Sequence, residues 1–253
     1  MNLRTYLARL KRRLLKKPFL KDTRFPPYWF NKVMSAEKVF LVQIGSNDGK
    51  TGDPFHQLLQ KNQSWSALFV EPVPYLFEKL KANYPDHSRF SFANVAINQG
   101  VPLTFYWVDS QVKNIFDDLP FWHDQLGSFD RQHIINELGE RMEPYILSET
   151  LQGATLPSLF SKNEVRRLDI LHIDTEGYDW KILSQLDMDT FTPAFILYES
   201  NHLSEKELHE SYKFLKDRYV LFEAGIDTLA VNKKHSEKYL GDMKKSMKQI
   251  LTS

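Results

Sequence analysis

The chain has 253 residues, no cysteine and a formal net charge of +1. Disulfides, a thiolate metal site and a thiol nucleophile are excluded, and the charge balance offers no global attraction for nucleic acid or an acidic substrate. With 42% hydrophobic residues and 13% aromatics, the chain can bury the core of one large α/β domain, and its lack of cysteine suits a reducing, cytoplasmic setting.

The first stretch, "MNLRTYLARLKRRLLKKPFLKDTRF", carries nine Lys and Arg side chains against Asp22 alone, with Leu3, Leu7, Leu10 and Leu14 at helical spacing. Such a basic amphipathic segment, counted here as residues 1–34, either meets a membrane surface through residues 1–25 or packs its leucines on the domain. It lacks the uninterrupted apolar core and small-residue cleavage site of a signal peptide. No window reaches the ~18 apolar residues of a membrane-spanning helix.

From Val39 the pattern alternates between strand and helix. "VFLVQIG" reads as a strand, and "DPFHQLLQKN" as a helix started by Asp53 with Pro54 at its first position. "ALFVEP" and "RFSFANVAI" are further strands around the helix "PYLFEKLKANY", and "PLTFYWVD" suits a fourth strand. The strands are near-continuous apolar runs, the mark of a parallel sheet covered on both faces. Residues 109–150 are irregular and read as an insertion over one end of the sheet, serving as a substrate loop or as packing. Regular elements return with a short helix at "TLPSLFSK", a strand over Leu168–Asp174, a helix from about Tyr178, the strand "AFILYES", the helix "EKELHESYKFLKD" and a closing hairpin with its turn at Gly225-Ile226-Asp227. Residues 234–253 are lysine-rich and read as a terminal helix. Alternating elements of this kind imply a doubly wound, mostly parallel sheet ending in an antiparallel hairpin.

Ligands of such sheets bind beyond the carboxyl ends of the strands, and four strand ends here are polar. After the first strand, Gly45-Ser46-Asn47-Asp48-Gly49 makes a turn in which glycine lets backbone approach a nucleoside, although an ordinary strand-to-helix turn has the same look. The G-x-G-x-x-G spacing of NAD enzymes is not met, which weakens the reading as an NAD-linked oxidoreductase. Glu71 ends the second strand, about 20 residues after the glycine loop, where a carboxylate accepts from both hydroxyls of a ribose. Asn94, Val95 and Ala96 end the third strand, where adenine would stack. Asp174 and Glu176 follow the apolar "LDILHI", and Glu199 and His202 follow the next strand. Carboxylates at a strand end are costly unless solvated, paired or used. Asp174, His202 and Glu199 are the candidate groups for proton transfer. No metal is assigned, although Asp174, Glu176 and Glu199 together would suit a hard cation. His172, interior to its strand, reads as a core histidine, and His123 and His133 lie in the insertion without a fixed place. Phe116, Phe121, Trp122 and Phe129 would supply an acceptor wall or packing.

"FLVQIGSNDGKTGD", "ALFVEPVPYLFEKL", "FANVAI" and above all "LDILHIDTEGYDWKIL" resemble, in this order, the motifs of FkbM-type methyltransferases, over roughly residues 36–232. The resemblance implies the class I methyltransferase fold, a Rossmann-like doubly wound sheet, over about residues 35–233. It implies S-adenosylmethionine (SAM) as cofactor and methylation of a hydroxyl, often on a sugar, glycolipid or related small molecule. By motif position it implies that Gly45, Asn47 and Gly49 line the methionine part of SAM, that Glu71 holds the ribose, that Asn94 and Ala96 flank adenine, and that Asp174 lies near the sulfonium and the acceptor. The family's first motif usually has Asp where this chain has Gln43, which can hydrogen-bond the turn or the cofactor amine but carries no charge. The alternative on these residues is a SAM-binding or membrane-docking module without turnover.

Overall fold

The computed structural model describes residues 19–120 and 122–251. Most of the basic segment, residues 1–18 with its leucines, and Phe121 lie outside the described residues. After a short 3-10 turn at Phe19–Lys21, α1 spans Pro26–Met34, which sequence reading did not anticipate. Its two prolines occupy the first turn, where the missing N–H groups cost nothing. Its buried face, Trp29, Phe30 and Met34, joins the core.

The central elements follow in chain order: β1 (Val39–Ile44), α2 (His56–Lys61), β2 (Trp65–Val70), α3 (Pro74–Asn83) and β3 (Phe90–Ala93). Next come β4 (Pro102–Val108), β5 (Gly127–Ser128), α4 (Arg131–Leu138) and β6 (Ile146–Gln152). The chain closes with α5 (Leu156–Lys162), β7 (Ile170–Ile173), α6 (Asp179–Leu183), β8 (Phe195–Glu199), α7 (Glu205–Leu215), β9 (Tyr219–Ala224), β10 (Asp227–Asn232), α8 (Glu237–Ser246) and β11 (Gln249–Ile250).

One eight-stranded sheet has the order β11-β9-β10-β8-β7-β1-β2-β3. β3, β2, β1, β7 and β8 are parallel, and the hairpin β9–β10 joins β8 through an antiparallel pairing. This is the class I methyltransferase arrangement, with a short extra edge strand, β11, after the terminal helix. Strand order reverses between β1 and β7, where Ile44 pairs with Ile173 at the carboxyl ends.

The strands alternate sharply despite their apolar composition. Val39 and Leu41 of β1 face a core layer formed with α1, α2, α3 and α8, whereas Val42 and Ile44 face one formed with α5, α6 and α7. The same alternation puts Phe195 and Leu197 of β8 in the first layer, with Ile196 and Tyr198 in the second. By the period of two, Gln43, His172 and Glu199 therefore point to the first face, near the strand ends. Gln43 and His172 are register partners.

Two expectations change. The strand "PLTFYWV" is real, but β4 does not enter the main sheet. It is the centre of a separate antiparallel sheet, β5-β4-β6. Much of β6 is exposed, which denied it a strand signal. The helix expected to begin at Asp53 begins at His56. Asp53 Oδ1 accepts from the N–H groups of Phe55 and His56, at 2.5 and 2.9 Å, so the carboxylate caps from further upstream.

Candidate functional site

The opening turn after β1 is built by three constraints. Gly45 and Ser46 donate their N–H groups to Val70 O, fastening the turn to β2. Asn47 adopts a left-handed φ of 50° and donates its N–H to Glu71 Oε2 at 2.8 Å. Gly45 has φ 77°, and a Cβ there would meet the Asp174 carbonyl oxygen at 1.7 Å. The glycine is thus required by the close approach of the β7 end, a constraint that applies with or without a ligand. Gly49 differs from its expected place. A Cβ on it would run into Leu80 and Tyr84, and Tyr84 donates its hydroxyl proton to Gly49 O, so this glycine seats the turn on α3 and does not line the crevice.

The crevice over the β1–β7 switch point has two connected chambers sharing Gly45, Asn47, Gln125, Asp174 and Glu176. The first lies over β2 and β3, lined by Glu71, Val95, Ala96 and Ile97, with Phe105, Phe129 and Tyr178 opposite. The Phe129 ring packs on Tyr178 at 4.9 Å and on Phe105 at 5.1 Å, giving an aromatic wall. The second chamber, about 380 Å3, is lined by Gln43, Asp53, Trp122, His172, Asp174, Glu199 and Asp227 among others, a volume suited to a small ligand.

Glu71 is 3% exposed. Its Oε1 accepts from Val73 N and its Oε2 from Asn47 N, both at 2.8 Å. Burial pushes its pKa up to about 7 against the lowering effect of these bonds. Asn94 does not reach the chambers. Its amide donates to the carbonyls of Glu71 and Pro72 at 2.8 and 3.0 Å, so it holds the loop after β2 in place, while Val95 and Ala96 present the surface.

Gln43, 2% exposed, donates from Nε2 to Asp53 Oδ2 at 2.6 Å, and its Oε1 is buried without a hydrogen-bond partner. A carboxylate from ten residues further on thus stands beside Gln43. Burial raises Asp53 to about 6, so the group is ionised at neutral pH.

The β7 end carries the densest charge. Asp179 is buried and accepts from Thr175 N, Thr175 Oγ1 and Gly177 N, bracing the Asp174–Tyr178 loop. Glu176 sits at φ 52° and Gly177 at φ 99°, which turns the Glu176 carboxylate toward the insertion. There His133 Nε2 lies 3.0 Å from Glu176 Oε2, and His202 Nε2 lies 3.6 Å from the same oxygen and 3.6 Å from Glu199 Oε1. Glu199 is held well above the usual carboxylate range by burial and by the charges of Glu176, Asp174, Asp179 and Asp227. Burial alone would lower His133, but the Glu176 bond and the charges of Glu176, Glu137 and Asp130 raise it.

The structure therefore brings Gln43, Gly45, Asn47, Glu71, Ala96, Asp174 and Glu199 onto the crevice and His202 beside it, and leaves Gly49 and Asn94 behind its walls. Of the insertion's aromatics, Trp122 and Phe129 line it, and Phe116 packs on Tyr145 within the insertion's own cluster. His123 is buried, with Nδ1 2.8 Å from Pro120 O. Sequence reading missed Asp53, Tyr178 and the place of His133. His172 lines the second chamber with its ring against Phe55.

The site's chemistry fits SAM. A cationic amino-acid group would meet the free Gln43 Oε1 and the Asp53 carboxylate, and a diol would meet Glu71. Among the described residues no lysine or arginine lines either chamber, so no side-chain cation there opposes a sulfonium.

The Methyltransferase FkbM domain profile matches residues 43–225. No curated protein matches the chain. Similar solved structures include a methyltransferase from Geobacter sulfurreducens (11% identity, 92% of this chain and 90% of that one, TM-score 0.43). They also include the N-methyltransferase NodS from Bradyrhizobium japonicum WM9 in complex with S-adenosylhomocysteine (11%, 90% and 98%, TM-score 0.39). A third is precorrin-6y C5,15-methyltransferase from Geobacter metallireducens (9%, 77% and 78%, TM-score 0.39). These likenesses are distant, and the assignment stands on the domain match together with the sheet order. The chain belongs to the FkbM family of SAM-dependent methyltransferases.

Proposed function

We propose that the protein methylates a hydroxyl group of a sugar, glycolipid or related small molecule. The observation that carries this reading is the meeting of two unlike surfaces at Gly45 and Asp174: a nucleoside cradle on one side and an acidic, histidine-bearing chamber on the other. SAM, when bound, supplies an electrophilic methyl group on a positively charged sulfur. Glu71 accepts from the ribose hydroxyls while its far edges stay fixed by Asn47 and Val73. Val95 and Ala96 flank the adenine. Gln43 and Asp53 hold the ammonium, and the negative charge of Asp174 favours the sulfonium nearby.

An alcohol is a weak nucleophile, so the acceptor's proton must leave as its oxygen attacks. In this reading His202, with Glu199 3.6 Å from its Nε2, takes that proton. The insertion covers this end: Gln125 Nε2 donates to Thr51 O, and the Tyr75 hydroxyl donates to Asp124 O, tying the cover to the glycine turn's continuation and to α3. Exclusion of water and alignment of the acceptor together are able to contribute several kcal/mol.

Calorimetric titration with SAM, S-adenosylhomocysteine (SAH), NAD and NADP tests the cofactor part. Micromolar binding of SAM and SAH with no response to NAD or NADP is expected. A hydroxylated acceptor screen with labelled SAM then reads the transfer. Binding of NAD in place of SAM overturns the assignment, and methyl transfer to nitrogen or carbon acceptors alone overturns the choice of oxygen.

A further inference from the structure

We propose that His133, Glu176 and His202, with Asp174 and Glu199 behind them, form a binding site for one divalent first-row transition-metal ion. The donor atoms fall into two groups that share Glu176. One is His133, Glu176 and His202, and the other is Asp174, Glu176 and Glu199. Within each group every donor atom lies within 4.8 Å of the others.

Two imidazoles distinguish this place from an ordinary acidic cluster. Both present Nε2 to the same oxygen, Glu176 Oε2, and their rings meet edge to face with centroids 4.6 Å apart. The residues come from three separate parts of the chain: α4 of the insertion, the loop after β7, and the segment after β8. Their convergence is a product of the fold and not of local sequence. Charge points the same way. Glu199 lies among Glu176, Asp174, Asp179 and Asp227, and no lysine or arginine among the described residues lines the chambers. Two imidazolium rings at that separation would repel, so protonating both histidines is a poor way to balance the carboxylates. One cation between the imidazole lone pairs and the carboxylates satisfies both at once.

The donor set also selects the ion. Mg2+ and Ca2+ prefer oxygen ligands, whereas imidazole with carboxylate suits Mn2+, Co2+ or Zn2+. The site stands on the donor geometry alone. Its use rests on the methyl-transfer reading and changes the base in it: an ion there would bind the acceptor's hydroxyl oxygen and lower its pKa, and the proton would pass to the Asp174 carboxylate, because the His202 Nε2 lone pair would be on the ion. It would also tie α4 to the sheet through His133, so the cover and the reacting centre would form together.

The experiment is a titration of the chelator-stripped full chain with Co2+, followed by its visible absorption, with Zn2+, Mn2+ and Mg2+ as competitors. The expected result is saturation at one Co2+ per chain, displacement by Zn2+ and none by Mg2+. His133→Ala, His202→Ala and Glu176→Gln should each weaken Co2+ binding by about tenfold or more. SAH affinity of the same variants, staying near that of the parent chain, shows that each has folded. Absence of saturable Co2+ binding, or binding that all three substitutions leave intact, overturns the proposal. Failure of the methyltransferase reading appears separately, as loss of SAM and SAH binding by the parent chain.

Discussion

The two walls of the crevice are held in different ways. On the β1–β2–β3 side, most of the polar groups are gripped by nearby backbone, the Gln43–Asp53 pair being the exception. Glu71 takes two N–H groups, Asn94 gives to two carbonyls, and Ser46 Oγ both donates to Gln43 O and accepts from Val70 N. On the β7–β8 side, side chains meet side chains: Glu176 with His133 and His202, His202 with Glu199. The first wall is a fixed template, suited to a ligand that never changes. The second is assembled by bringing an insertion onto the sheet, so its chemistry is tuned by tertiary placement. A cofactor and a family-specific acceptor make these two demands.

The comparison breaks most sharply at Glu71. Glu71→Ala should weaken SAM and SAH binding by about 100-fold or more, because two charge-assisted hydrogen bonds of about 1.5–3 kcal/mol each are lost. The fold should survive. The Glu71 pKa, about 7 in the folded chain, lies above its ordinary value of 4.5. The group thus favours folding below that ordinary value, and this contribution is lost as pH rises through 7. At pH 8 its buried charge opposes folding, which offsets the acceptors lost by Asn47 and Val73. Unchanged SAH affinity in a folded variant would refute the ribose assignment.

The opposite wall should respond the other way. Asp174→Asn should lower turnover by about 100-fold at saturating SAM while SAH affinity changes by no more than a few-fold. Its backbone N–H still donates to Ile44 O, so the strand end keeps its place. Equal losses in affinity and turnover would make Asp174 a part of the cofactor template, and the two walls would not be functionally distinct.

This division also explains what was legible. The parallel strands announced themselves as apolar runs, and their polar ends followed from the rule that ligands sit beyond them. Glu71 and Asp174 were singled out in this way, and both line the crevice. His133 carried no such signal: it lies in an ordinary amphipathic helix, and its partner Glu176 is 43 residues away. The smaller sheet hid because β6 is largely exposed and lacks the alternation of a half-buried strand. Gly45 was found for an incomplete reason, since its close approach to Asp174 appears only when β1 and β7 pair. Asp53 was read as the helix start; α2 begins three residues later, with Asp53 Oδ1 accepting from its first N–H groups, and the same side chain lines the crevice.

Asp53 gives the finest test, because it sets a carboxylate beside Gln43, the position where the family's first motif usually carries an acid. Its Oδ1 is occupied by the α2 backbone and its Oδ2 by Gln43, which leaves the pair facing the second chamber with one free amide oxygen and one negative charge. An ammonium is the complementary group. Asp53→Asn should therefore weaken SAH binding by about tenfold, the worth of one charge-assisted bond of about 1.5 kcal/mol. Methylthioadenosine, which keeps the nucleoside and lacks the amino acid, should bind parent and variant alike. Asp53 titrates at about 6, so the parent's advantage over the variant should be full near pH 8 and shrink as pH falls through 6, when the carboxylate takes up its proton. Titrations of both ligands at pH 5.5, 6.5 and 8 read the whole pattern. A loss shared equally by SAH and methylthioadenosine would mean that Asp53 only caps α2, and the charge missing at Gln43 would have no replacement in this wall.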